Sequence, residues 1–548
     1  MVNLGLDFGS TYTMVSIFEN GEPKTVQPNN LTFNYPSIVC YDEGKKKYFF
    51  GTSAREKLGK RGVVGFRGFK MLLNHQMSEE KLRERNYTGE NTPEHITELF
   101  LHYVISNTLK KLNEDKVDLL VIGAPECWFQ SLQTIDARGT LRDICLGFSD
   151  IVCRVELRSE PTDAAAFCVW NYEKKNGQNF DGSILVVDYG GGTLDTALVS
   201  VAHTGDKIQI KPEMLSGIGE NKDKEIGRAG IAYQEAVVRK AVSQALEISE
   251  AEVETNADFD KAVKSFEDVL VSDSDFVDEI FEDYAAVPDQ LGEESFTTVL
   301  FEGEEIPIDF GQMKAAYNET IYDSLQRVLD ESTAELSPDA QPYIATVGGF
   351  CNFYLVREQI GNYFDMGGVN ARVKTLFHKE EDREKAIAYG ACLLANKVME
   401  VCNVASFGIG MYIKYSDRDE VFMRYAINFG QEYTPDKIYF ARDKWGMVAP
   451  MMLTEADTFL LNYHKNPDYG FPARPKAKFA AALNKAQHDN IVVVGFSIDA
   501  AERIKVHIFN YDFDVTSEQY GDTIPPVATI ALSTFKGSFD NLKVPTKE

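Results

Sequence analysis

The chain has no Cys-x-x-Cys pair, and its eight cysteines lie scattered at 40, 127, 145, 153, 168, 351, 392 and 402. That spacing suggests neither a zinc ribbon nor a disulfide framework. Basic charge is also scarce: 56 Lys and Arg stand against 84 Asp and Glu, a formal net charge of −28. Such acidity argues against nucleic acid or an anionic membrane as a partner bound through a basic surface. No apolar run approaches the roughly 18 residues that span a bilayer. A first strand expected from residue 2 leaves no room for a signal peptide, so the expectation is a soluble cytoplasmic protein. What is present is 548 residues, 44% of them hydrophobic, enough for about three or four domains with large cores. The acidity is uneven: from Glu247 to Glu294 seventeen Asp and Glu meet two Lys, supplying −15 of the −28. Its expected form is a solvated helical lobe.

The most informative stretch is Ile184–Asp195, Ile-Leu-Val-Val-Asp-Tyr-Gly-Gly-Gly-Thr-Leu-Asp. Four apolar residues read as a buried strand ending in Asp188, and Thr193–Val201 reads as a second strand, so Gly190, Gly191 and Gly192 sit at a hairpin tip. Glycines let backbone N–H groups approach a bulky anion, and a neighbouring Asp can hold hydrated Mg²⁺ that masks phosphate charge. No Lys-Ser/Thr pair and helix follow, which separates this loop from a Walker P-loop. By itself the stretch is also a plain tight hairpin. The device recurs at Val2–Thr11, where a strand ends in Asp7 and is followed by Gly9, Ser10 and Thr11, then strand-like Thr13–Phe18 and an Asn20-Gly21 turn. Two such hairpins suggest two similar lobes gripping one polyphosphate.

Further along, Val26–Ala54 is β-rich, and Lys60–Leu73 is a Gly-punctuated segment whose Lys70 alone reads as a solvated charge. His95–Leu112 and Phe129–Leu146 have helical periodicity around a buried strand at Val117–Gly123. Glu160 precedes Pro161 at a helix start, where it would cap the helix or face a water. Gly217-x-Gly219 lacks the third glycine of a dinucleotide fingerprint and is discarded. Gly227–Leu246 is expected as a helix, Thr297–Ile308 as a hairpin, and Phe310–Leu329 as a helix. Ile344–Gly349 reads as a strand ending in glycines, and Asn352–Phe364 as a helix whose N-terminus is open to a ligand. Lys385–Val398 is an Ala-rich helix. From Phe407 on, short alternating strands are expected at Gly408–Tyr415, Val421–Asn428, Asn490–Ile498 and Ile504–Val515, with a loop at Asn466–Lys478 and a helix at Phe479–Lys485.

This ordered set resembles the 70-kDa heat-shock chaperone (DnaK-like) family of the actin-like ATPase superfamily. Leu4–Thr11 and Val187–Asp195 look like its two phosphate motifs, Glu160–Ala166 and Ala386–Ala391 like its hinge helices, and Thr346–Gly349 like its adenosine motif. Phe496–Ala500 followed by Ile504–Val506 resembles a strand pair of its peptide-binding sandwich. The resemblance implies an α/β, two-lobed actin-like (ribonuclease H-like) ATPase domain over residues 1–398, a linker at 399–405, and a smaller all-β, sandwich-like substrate-binding domain at 406–548 without a helical lid. It implies ATP/ADP and Mg²⁺, with Asp7 and Asp188 placing the metal through water. Gly9, Ser10, Thr11, Tyr12 and Gly190, Gly191, Gly192 and Thr193 would cradle phosphates. Lys70 would neutralise the γ-phosphoryl group, while Glu160 and Asp195, with Thr193, would orient water and the metal shell. Gly227, Gly348, Gly349 and Asn352 would complete the nucleotide site.

The departures are as specific. Asn352 stands where the family stacks an arginine on adenine, and Asp268 and Val269 where it places Lys and Arg. The second-lobe loop becomes Gly227-Arg228-Ala229-Gly230. Pro125 is retained, but the arginine eight residues on is Gln133, and the linker has lost its acidic-leucine run. Two readings stay open. One is an ATP-dependent, chaperone-like protein, a slow Mg-dependent ATPase that binds unfolded peptide or protein clients and co-chaperones. The alternative is a nucleotide-gated scaffold with little turnover and one dedicated partner. A filament-forming actin-like protein is disfavoured, because it has no need of a C-terminal β domain.

Overall fold

The computed structural model describes residues 1–29, 32–73, 78–126, 128, 137–204, 207–218, 229–272, 274–334, 336, 342–364, 374–375, 380–405, 408–414, 421–428, 430–442, 446–448, 450–452, 459–462, 469–473, 491–499, 504–512, 515, 519–531 and 542–543. The chain divides into two compact units, one of residues 1–127, 140–210 and 214–400, the other of residues 128–139, 211–213 and 401–548. Gln133, Gly227, Arg228 and the expected helix at Phe479–Lys485 lie outside the described residues.

The first unit is mixed α/β and repeats one topology. In its first sheet the order is Glu22–Thr25, Tyr12–Glu19, Val2–Phe8, Val117–Ala124, Val152–Ser159; in its second it is Lys207–Ile218, Leu194–Thr204, Ser183–Tyr189, Tyr343–Val347, Lys374–Thr375. Each central strand is antiparallel to its hairpin partner on one side and parallel to a later strand on the other. The central strands are near-continuous apolar runs because both faces are covered, as parallel pairing requires. Leu4, Leu6, Phe8, Leu185, Val186 and Val187 are all fully buried. Asn20 and Gly21 both take positive φ, 55° and 80°, as the twist of a two-residue hairpin turn demands.

Two helices join the halves, Glu160–Asn176 and Glu380–Ala395. They cross backbone to backbone: a Cβ on Gly390 would lie 1.6 Å from the Asp163 carbonyl oxygen, so no other residue fits. The acidic stretch is helical as expected, over Glu250–Thr255, Phe259–Ser272, Ser274–Ala286 and Pro288–Leu291. Phe266 and Phe281 turn inward to the core, and Arg239 pairs outward with Glu250 and Glu254.

The helix expected at Phe310–Leu329 is present and runs on to Thr333, with one irregular turn inside it. An α-helix at Phe310–Tyr317 passes through a π-helical turn, Asn318–Tyr322, into Asp323–Thr333. Widening that turn frees the Tyr322 carbonyl, which accepts from Gln359 Nε2 at 2.9 Å, a side-chain partner 37 positions away that no local pattern announces.

The second unit holds two antiparallel sheets among the described residues. One contains Val421–Ile427, Gly408–Lys414, Phe459–Asn462 and Tyr469–Ala473; the other contains Tyr439–Phe440, Ile491–Ile498, Ile504–Asn510 and Ala528–Ala531. Tyr469–Ala473 corrects the loop expected at Asn466–Lys478: Pro472 and the flanking basic residues hide a strand that pairs with Phe459–Asn462. A buried polar relay ties three strands, Ser497 to His507 Nε2 at 2.8 Å and His507 Nδ1 to Thr529 at 3.0 Å. Burial pushes the His507 imidazole down to about 4, so it stays neutral inside the sheet. Among the described residues no helix is long and apolar enough to cross a membrane.

Candidate active site

The two repeated hairpins bring their tips together at a cleft of about 510 Å³ in the first unit. Asp7 ends one central strand and Asp188 stands in the matching place of the other, each level with a parallel neighbour, Gly123 and Val347 respectively. Ser37 braces the first loop, its Oγ donating to the Gly9 carbonyl at 2.7 Å and its N–H to the Thr11 carbonyl at 2.8 Å. The second loop closes through Gly190 N–H to the Thr193 carbonyl at 3.0 Å, and the first N–H groups of the Gly230–Leu246 helix donate to the Gly190 and Gly191 carbonyls. The loops are packed face to face. A Cβ on Gly191 would lie 2.3 Å from Thr11 Oγ1, and one on Gly192 would lie 2.3 Å from Ser10 Oγ. Any side chain at these positions would fill the concavity that hydroxyls and bare backbone leave for an anion.

Beneath the loops lies a dense set of carboxylates with one lysine. Lys70, on the short Phe69–Leu72 helix, donates from Nζ to Glu160 Oε1 at 2.6 Å, with both side chains 5% exposed or less. Burial works against the Lys70 charge, but Glu160 and Asp7 more than restore it and hold the ammonium above its ordinary range. Burial, with Glu160 adding to it, lifts Asp7 to about 7 while Lys70 pulls it back. Burial also raises Asp188, aided by Glu160, Asp195 and Asp7. Asp7 and Asp188, the two carboxylates at the strand ends, fit Mg²⁺ held through its own waters, since that ion dehydrates reluctantly and needs only one or two carboxylates.

Asp7, Gly9, Ser10, Thr11, Tyr12, Lys70, Glu160, Asp188, Gly190, Gly191, Gly192, Thr193, Gly348, Gly349 and Asn352 all line this cleft, although they come from both ends of the unit. Asp195 does not line it: it is fully buried opposite Asp188 in the hairpin register, where its charge helps to raise Asp188. Gly348, at φ +82°, sits where a Cβ would lie 2.6 Å from Asp188 Oδ1. The expected helix at Asn352–Phe364 is present, starting two residues later. Gly349–Asn352 forms a 3₁₀ turn and the α-helix begins at Tyr354. The cause is Phe350, which turns inward onto Tyr189 and stacks on Phe353 at 5.5 Å.

Several residues at the site had no motif to mark them. Arg55 donates to the Tyr12 hydroxyl at 3.0 Å and pairs with Asp268, while Arg67 reaches Glu267 at 3.3 Å, so two arginines of the first half grip one helix of the second. Asp268, which stands where the resemblance would place a base-stacking cation, is thus spent on an ion pair. Asn352 accepts from Arg383 at 3.3 Å. Asp163, one turn beyond Glu160, is fully buried with neither carboxyl oxygen hydrogen-bonded; burial pushes it well above the usual carboxylate range. Its place within the hinge motif was visible in the sequence, but its lack of a partner was not.

Residues 3–211 match the family model described as Hsp70 protein. Among curated relatives, a chaperone protein DnaK of Metamycoplasma hominis is 32% identical over 200 residues, which cover 36% of this chain and 30% of that protein. The chain therefore matches under a third of the relative's length.

Proposed function

We propose that the chain, whose residues 3–211 are similar to 70-kDa heat-shock proteins, binds ATP in the cleft, hydrolyses it slowly with Mg²⁺, and acts as an ATP-dependent, chaperone-like protein. The observation that carries this reading is the pairing of two glycine–hydroxyl loops, face to face, over a buried Lys70–Glu160 pair flanked by Asp7 and Asp188. Phosphoryl transfer asks chiefly for positioning and charge neutralisation. Bound Mg²⁺ would supply neutralisation of the β- and γ-phosphate oxygens. Backbone N–H groups of Gly191 and Gly192 and the hydroxyls of Ser10, Thr11 and Thr193 would hold the phosphates in line. Lys70 would offer its ammonium to the transferring group, and Glu160, fixed by that same lysine, would orient the attacking water and accept a hydrogen bond from it.

The second unit's antiparallel sheets would bind extended segments of unfolded client chains, with co-chaperones as further partners, in the cytoplasm. One observation favours the scaffold alternative: Lys70 and Glu160 already satisfy each other at 2.6 Å, an arrangement that a little-used active site could keep indefinitely. ATP turnover measured with and without a panel of unfolded peptides separates the two. Stimulation is the result expected of a chaperone, a flat response that of a scaffold, and absence of ATP binding would overturn both.

A further inference from the structure

The Gly230–Leu246 helix starts against the second phosphate loop, with Gly230 N–H 3.2 Å from the Gly190 carbonyl and Ile231 N–H 2.8 Å from that of Gly191. Its rotation is fixed by Tyr233, which packs against Phe350 and Phe353 at ring distances of 5.7 and 5.0 Å. The next residue, Gln234, consequently lines the cleft, as Gly230 does. Four residues separate the two, so Gln234 stands one helical turn, about 6 Å, beyond the phosphate loop. Its Oε1 is buried and has no hydrogen-bond partner. Other polar groups on this side of the cleft are engaged: Glu267 by Arg67, and Asn352 by Arg383. Thr32 Oγ1, from the other half, is the one further cleft-lining side-chain atom that is buried and unpartnered among the described residues. A buried acceptor kept dry and unpaired is costly unless a ligand donates to it.

We propose that Gln234 reads the sugar of the bound nucleotide, its side-chain carbonyl accepting a hydrogen bond from a ribose hydroxyl, which makes it a specificity-determining residue for ribonucleotides. The inference rests on the nucleotide reading above and deepens it. One turn beyond the phosphate cradle is where the sugar of a nucleoside triphosphate lies, and a hydroxyl satisfies the amide in either of its orientations. A site built to bond a hydroxyl rejects the analogue that lacks it, because the buried acceptor is then left unpaired.

The test is calorimetric titration of the full chain with Mg-ATP, with Mg-2′,3′-dideoxy-ATP and with inorganic tripolyphosphate, repeated on Gln234→Leu and Gln234→Asn. The wild type is expected to bind dideoxy-ATP about tenfold more weakly than ATP. In Gln234→Leu the two are expected to bind alike, with tripolyphosphate affinity unchanged, and Gln234→Asn, one methylene shorter, is expected to lose most of the gap. Equal affinity of the wild type for ATP and dideoxy-ATP, or a gap that survives in Gln234→Leu, overturns the proposal while leaving the nucleotide reading intact. Failure of the wild type to bind ATP overturns both.

Discussion

Lys70→Ala should do more than slow a reaction; it should unbalance the floor of the cleft. Lys70 and Glu160 form a pair at 2.6 Å with side chains 3% and 5% exposed. Lys70 is also the cation that pulls Asp7 and Asp188 down. Truncating one partner of a buried pair typically costs about 3–5 kcal/mol, because the other charge is left uncompensated. Here the stranded group is a carboxylate beside further carboxylates, so the upper half of that range is expected for the ligand-free protein at pH 8. The loss should shrink at pH 5, below the value of about 7 to which Asp7 is lifted, because a protonated Asp7 adds less repulsion to the stranded carboxylate. Glu160→Gln should cost less, since Lys70 keeps Asp7 and Asp188 as counter-charges. Lys70→Met with Glu160→Gln, which leaves no charge in the pair, should recover most of the stability. Denaturant unfolding of the four proteins at both pH values, following the first transition, measures this. A loss under about 1 kcal/mol for Lys70→Ala at pH 8, or a double variant as unstable as the sum of the singles, would refute the reasoning. Where Lys70→Ala stays folded, ATP turnover should fall about 10²-fold or more, equivalent to roughly 2.7 kcal/mol of barrier.

Asp7 carries a pH signature. Its folded-state value of about 7 lies above the ordinary 3.8, so its contribution to stability is fully present below 3.8 and is lost as pH rises through about 7. The ligand-free melting temperature should accordingly decline over that window and decline less in Asp7→Asn; identical slopes would contradict the assignment. Asp163→Ala removes a carboxyl with two unbonded, buried oxygens. It should stabilise the ligand-free protein by about 1–3 kcal/mol at pH 8 and by less at pH 4, whereas a loss at both would show that Asp163 has a partner in solution. The Arg55–Asp268 pair is partly exposed, at 25% and 38%, so it is worth about 0.2–1 kcal/mol. Arg55→Ala should speed nucleotide release by no more than about fivefold, with wild-type release accelerating in high salt; an unchanged release rate would remove this pair from cleft closure.

How much of this was legible in the sequence depends on how local each signal is. The strand–Asp–Gly–hydroxyl hairpins declare themselves within a dozen residues, because apolar runs, carboxylate and glycines stand together, and the structure joins them as expected. Lys70 and Glu160, 90 positions apart, were each named through the family resemblance, but their pairing was not. Arg55 meets a partner more than two hundred positions away, and Gln234 looks like any polar residue on a helix; neither has a local pattern to betray it. The π-helical turn at Asn318–Tyr322 and the 3₁₀ turn at Gly349–Asn352 come from tertiary contacts, Gln359 in one case and the stack of Phe350 on Phe353 in the other. In the second unit, strand periodicity marked Ile491–Ile498 and Ile504–Asn510 clearly, while a proline concealed Tyr469–Ala473.

The central claim is that two facing glycine loops and two strand-end carboxylates form one site for Mg-ATP. Calorimetric titration of the ligand-free full chain with ATP, in the presence and absence of Mg²⁺, tests it most directly when Asp188→Asn is titrated in parallel. The account predicts one ATP per chain, bound at least about tenfold more tightly with Mg²⁺ than without, and loss of that enhancement in Asp188→Asn. Absence of binding, or binding equally indifferent to Mg²⁺ and to the Asp188 substitution, would contradict it.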